Sequence, residues 1–222
     1  MKRAFSGLGL MVFAATLFGC ASAPIIPVPV KFTGDMRSLS PLTVVAFQTV
    51  GIRQVTIGRT LAGALTLGLG SNAIAESGGR AMQKKYSLPD LGQTIKGRFV
   101  KRVTGEIPYW PEMQVEENPV PLGPFKTPNS VLVFRTFFVQ VSDAGTCQGL
   151  CAYTDLTLFG KNGQKYQKRY IYKSENFNRA PRSFSDFERD EGKLLKEEME
   201  FAAEKTVEHF IGHFKGGGSS GN

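Results

Sequence analysis

Apolar and polar residues alternate or recur along this chain in a way that sorts it into elements. Leu42 to Val50 is a compact apolar run holding Val44, Val45 and Phe47, and it predicts a buried first strand. Leu88, Leu91, Ile95, Phe99 and Val103 recur at helical spacing, with Pro89 and Asp90 at the start, which predicts an amphipathic helix covering a sheet. Ile107 to Pro128 is proline-rich and reads as a long loop with a short strand near Met113 to Val115. Ser130–Ser142 and Leu150–Phe159 are β-branched and aromatic, and the second sets Leu150, Ala152, Leu156 and Leu158 against Tyr153, Asp155 and Thr157. Asn162-Gly163 supplies a hairpin turn into a third strand, Gln164 to Lys173, completing an antiparallel meander. Leu195, Met199, Ala202, Thr206, Phe210 and Phe214 then lie on one face of a long C-terminal helix, expected from about Asp186 to Phe214 with Ser185 as its N-cap.

The order of these elements predicts an α+β fold: a mostly antiparallel sheet with helices packed on one face. The stretch Ile57 to Ala75 fits no such element cleanly. It is small, apolar and nearly uncharged, with glycines that disfavour a free-standing helix. Tight helical packing on the sheet is the plainer expectation; contact with lipid or a partner is the sharper one.

The chain opens differently. Lys2-Arg3 precede an apolar run from Leu8 to Phe18, too short to span a bilayer, which takes about 20 apolar residues. Basic start, apolar middle and small residue form the pattern of a secretory signal. Leu17-Phe18-Gly19-Cys20 resembles the lipobox of bacterial lipoproteins, the uncharacterised envelope lipoproteins included. The resemblance implies cleavage before Cys20, lipid on that cysteine and a membrane anchor. Ala21 in place of aspartate resembles the Gram-negative pattern sent to the outer membrane, facing the periplasm. Domains follow: a signal over 1–19, a lipidated Pro-rich tether over 20–41, one periplasmic domain over 42–214, and a flexible tail over 215–222.

Composition adds two constraints. A formal net charge of +8 makes anionic headgroups, acidic glycans or an acidic protein the natural partners, while the exported address disfavours nucleic acid. With Cys20 assigned to lipid, Cys147 and Cys151 remain, and an oxidising compartment makes a local disulfide the first expectation, ahead of a redox pair or half a metal site.

Candidate chemistry is sparse. His209 and His213 share a helix face, as a metal pair needs, but Phe210 stands where a zincin carries glutamate, so they remain weak metal candidates beside a helix-end role for the cations. No nucleophile elbow, Walker loop or dinucleotide fingerprint occurs, and Glu112 and Asp155 are carboxylates without a motif. The sequence points to no cofactor. Two surfaces stand out instead: Lys161, Lys165, Lys168, Arg169 and Lys173 interleaved with Tyr166, Tyr170 and Tyr172, and the pair Tyr109-Trp110. Each has a structural alternative, an edge strand guarded by lysines and a buried loop plug. The expectation is a non-enzymatic structural or accessory subunit of a cell-envelope assembly, with a lipid- or glycan-binding module as the alternative and a hydrolase third.

Overall fold

The computed structural model describes residues 36–49, 51–55, 81–118, 129–142, 147–160, 163–179, 182–189 and 191–215. The expected signal, most of the expected tether, the stretch Ile57 to Ala75 and the expected tail beyond Lys215 lie outside the described residues.

A six-stranded mixed sheet carries the α+β fold. Its strands are β1 (Leu42–Ala46), β2 (Ile52–Val55), β3 (Met113–Val115), β4 (Ser130–Ser142), β5 (Gly149–Gly160) and β6 (Gly163–Lys173), in the order β3-β1-β4-β5-β6, with β2 also on β4. The β4–β5–β6 meander is antiparallel, in line with the alternation of its sequence. The first strand joins β3 and β4 in parallel.

The expected strand over Leu42–Val50 is interrupted. β1 stops at Ala46, and β2 resumes pairing with Val139–Ser142 further along β4. Between them Thr49 leaves the ladder to serve a helix. Its N–H and hydroxyl donate to the Asp90 carboxylate at 2.9 and 2.7 Å, and its Oγ1 accepts from Gly92 N at 3.1 Å. Asp90 also caps helix α1 (Leu91–Glu106), accepting from Gln93 N at 3.0 Å. The same four hydrogen bonds therefore end a strand and start a helix. A β-bulge in β4 between Thr136 and Phe138 absorbs the matching break on the partner strand.

The C-terminal helix is two helices, not one. α2 (Phe184–Arg189) and α3 (Lys193–Phe214) are separated where Glu191 and Gly192 take φ of 47° and 75°. A Cβ on Gly192 would meet Tyr86 Cγ at 2.6 Å, so the close approach and the left-handed angle both require glycine there. The cap also moves. Ser183, not Ser185, starts α2: Asp186 N donates to Ser183 Oγ at 3.2 Å, and Asp186 Oδ2 accepts from Ser183 N at 2.8 Å.

α1 and α3 pack side by side on one face of the sheet. Leu91, Ile95, Phe99 and Val103 from α1 meet Leu195, Met199, Ala202, Phe210 and Phe214 from α3 over Leu132, Phe134, Leu156 and Leu158. Met36 and Leu39, on a single 3-10 turn, are 1% and 6% exposed and join this core, so the domain reaches back to Met36 instead of starting at Leu42. On the opposite face Val45, Phe47, Val131 and Val133 form a smaller buried cluster.

Candidate functional site

Strand β6 divides the basic hairpin between two faces. Pleat alternation sends Tyr166, Lys168, Tyr170 and Tyr172 toward the helices and Arg169, Ile171 and Lys173 to the other side. Tyr166 and Tyr172 are fully buried. Lys161 lies outside the described residues, and Lys165 is placed in β6. The expected row of cations is therefore no single patch.

Arg169 is engaged within the sheet. Its Nε and Nη2 donate to Asp155 Oδ1 and Oδ2 at 2.7 and 2.9 Å, and its Cζ lies 4.6 Å from the Phe137 ring centre. Asp155, a carboxylate without a motif, is 6% exposed. The carboxylate holds the guanidinium above its ordinary pKa, as a fork-shaped pair should. The β4 bulge places Phe137 over this pair, and Arg135 beside Asp155 is exposed. Lys173 reaches Glu175 at 3.5 Å.

The histidines lie against β6, not in solvent. His209 stacks on Tyr170 with ring centres 4.4 Å apart, and His213 lies 5.6 Å from Tyr166. Burial first, then Lys168 and His213, lowers the His209 pKa to about 4. Burial and Lys168 lower His213 as well. Neutral imidazoles packed on tyrosines replace the expected helix-end cations. Among the described residues no group of three or more His, Cys, Asp or Glu could hold a metal ion.

This packing predicts an acid-sensitive fold. The folded-state pKa of His209 lies below its ordinary 6.5, so the unfolded chain takes up a proton first. The stability contributed by the neutral ring is complete above pH 6.5 and is lost as pH falls toward 4. After discounting for solvent screening of a partly exposed group, the loss is about 1–2 kcal/mol. Urea midpoints measured across that range should fall with acid. His209→Phe should flatten the profile in part, because His213 titrates with the same sign.

Trp110 is a plug. It is 9% exposed and makes edge-on contacts with Phe99 and Phe214 at 5.4 and 5.0 Å. Tyr109 is 39% exposed, yet its hydroxyl donates to the Phe214 carbonyl at 2.8 Å and so ties the loop to the end of α3. Glu112 is exposed. Cys147 and Cys151 form a disulfide with Cα atoms 6.0 Å apart. Cys20 lies outside the described residues.

Two polar anchors escape sequence reasoning. Glu198 on α3 is 1% exposed. It accepts from Tyr172 Oη at 2.5 Å and Ser174 Oγ at 2.7 Å on Oε1, and from Arg179 Nε at 2.7 Å on Oε2. Ser174 Oγ also accepts from Leu150 N at 3.0 Å. Burial, then the bond to Glu198, raises the Tyr172 pKa strongly. Lys96 on α1, 4% exposed, donates to the carbonyls of Glu116 and Glu117. Burial lowers its pKa. The signal available in sequence was positional: Glu198 and Lys96 each sit on the apolar stripe of their helix.

Described side chains pack between the helices and the sheet. Phe99, Phe134, Phe210, Trp110 and Phe214 contact one another at 5.0–6.3 Å. The stretch Ile57 to Ala75, for which contact with lipid or a partner is the sharper expectation, lies outside the described residues. No helix among the described residues is long and apolar enough to cross a membrane. Comparison with protein-family models and with curated proteins finds no match.

Proposed function

We propose that this chain is a lipid-anchored bacterial envelope protein, held through Cys20 on the periplasm-facing side of the outer membrane. In this reading it is a structural or accessory subunit of an envelope assembly and not an enzyme. The observation that carries it is the ordered run of Lys2-Arg3, an apolar stretch and Leu17-Phe18-Gly19-Cys20. The character of the folded domain supports it: the buried carboxylates Asp155 and Glu198 are each engaged by a guanidinium and neighbouring donors, the work of scaffolding. The sheet face away from the helices offers a contact surface, with Arg135 exposed and Ile171 39% exposed near the Arg169–Phe137 stack. Its chemistry suits an acidic partner carrying an apolar residue.

Metabolic labelling with a palmitate analogue tests the anchor. Label is expected on the wild-type protein and absent from Cys20→Ser. Size-exclusion chromatography of gently solubilised envelope tests the assembly. The protein is expected to elute as a complex that Ile171→Asp, combined with Arg135→Glu, dissociates while leaving the melting curve unchanged. An unlabelled protein retaining Met1 counts against the anchor, and a monomer in native extract counts against the assembly.

A further inference from the structure

The cations of the helical layer are unevenly paired. Along the α1–α3 seam, Arg98 bonds Glu200 and Glu204, Arg102 bonds Glu106 and Glu204, and Lys215 bonds Glu106 at 2.7 Å. At the other end of α3 the pattern reverses. Lys85, Tyr86, Ser87, Glu191 and Lys196 line an open groove of about 410 Å³. Among the described residues, neither the Lys85 nor the Lys196 ammonium has a carboxylate partner. Lys85 Nζ lies 4.7 Å from the centre of the Tyr86 ring. Tyr86 itself is 6% exposed, and its side chain acts with Glu188 to raise the Lys85 pKa.

Both walls of this groove are held in an uncommon shape. Ser87 and Glu191 have φ of 48° and 47°, and Gly192 follows at 75° against Tyr86. The 22-residue α3 starts at this wall with no side-chain cap hydrogen bond. Its positive end adds to the field of the two ammoniums.

We propose that this groove binds a small phosphate-bearing ligand, with Lys85 and Lys196 as its anion contacts. Lys196, with no carboxylate in salt-bridge range among the described residues, and Lys85, held beside Tyr86 with Glu188 nearby, present two ammoniums that suit phosphate, which offers several oxygens to point charges and needs no planar fork. The volume falls within the range of small-molecule sites, about 300–1,000 Å³. Among the described residues Glu191 is the acid in the lining, with Glu188 also acting on Lys85, and it selects a ligand whose phosphate stands beside a cationic or hydroxyl donor, as in an aminoalkyl phosphate. Such chemistry occurs in lipid headgroups as a diester and in solution as a free phosphate. The inference stands on the groove alone, so failure of labelling at Cys20 would leave it untouched.

Calorimetric titration of the full chain in non-ionic detergent tests it, with glycerophosphoethanolamine, O-phosphoethanolamine and inorganic phosphate as the probes. Saturable binding of at least one probe is expected, weakening as salt rises. The double variant Lys85→Gln with Lys196→Gln should weaken it by about tenfold or more, as losing charged contacts does. Lys101→Gln, an exposed lysine on α1, should leave it unchanged. Glu191→Gln should weaken the two amine-bearing probes and spare inorganic phosphate. Tighter binding of the diester indicates a headgroup and tighter binding of inorganic phosphate a free anion; either supports the site if it depends on the lysines. Absence of saturable heat up to about 10 mM, a weak-binding limit, overturns the proposal. So does equal binding by the double variant with an unchanged circular dichroism melt.

Discussion

Glu198→Ala is expected to lower the unfolding free energy by about 3–5 kcal/mol, the range for removing one partner of a buried charge pair. The carboxylate is the meeting point of three donors from three places: Tyr172 on β6, Ser174 in the following 3-10 turn and Arg179 beyond it. Deleting it leaves a fully buried tyrosine hydroxyl short of an acceptor and leaves the Ser174 hydroxyl only the Leu150 carbonyl, at 3.1 Å, to donate to. Arg179 loses its anion and keeps only its place over the Phe201 ring, 4.3 Å from the ring centre. Because Ser174 also bonds Leu150 N and O, the loss spreads into the β5 end of the sheet. Glu198→Gln keeps one acceptor oxygen and should cost roughly half as much, by the difference between charged and neutral hydrogen bonds. Urea denaturation of the two variants decides the matter. If E198A unfolds at the wild-type midpoint, the network contributes nothing to the fold.

Phe99→Ala should be of similar size, about 3–5 kcal/mol, as for other buried aromatic truncations. Phe99 is fully buried where α1, the loop after it, β4 and the end of α3 converge. Its ring sits 5.4 Å from Trp110, 5.1 Å from Phe134 and 6.2 Å from Phe214, all edge-on. Truncation opens a cavity whose walls belong to four separate elements, so collapse around it is hindered. Trp110 is the only tryptophan, which makes its emission a direct reporter. A red shift in the folded variant should accompany the lower midpoint. Phe99→Leu, which keeps more of the volume, should show less of both. Unchanged emission and midpoint would mean that the loop plug packs independently of α1.

Period and alternation made the meander readable, because Leu132, Phe134, Leu156 and Leu158 repeat every second residue over one buried face. The same logic found α1 with its Asp90 cap and the buried stripe of α3. It missed the break at Glu191-Gly192, since the reason for glycine there is a ring distant in sequence, Tyr86. It missed the interruption after Ala46 for a similar reason: Thr49 abandons the ladder for Asp90, 41 residues away. Candidate site residues fared unevenly on the same ground. A basic strand can be recognised from its lysines, but the pleat decides which face each side chain takes, and Arg169 turned to Asp155 while Lys168 turned to the histidines.

Local patterning was enough, then, for the α+β class, for most element positions and for the identity of the core, because burial periodicity is carried by neighbours in the chain. The proposed leader and the lipobox-like run ending at Cys20 belong to the same kind of information, read from contiguous residues. Parallel pairing of the first strand, the Glu198 anchor, the neutral histidine stack and the groove at Lys85 and Lys196 arise between residues far apart in sequence. Packing chose them, since a charge or ring acquires its partner only when separate elements are brought together.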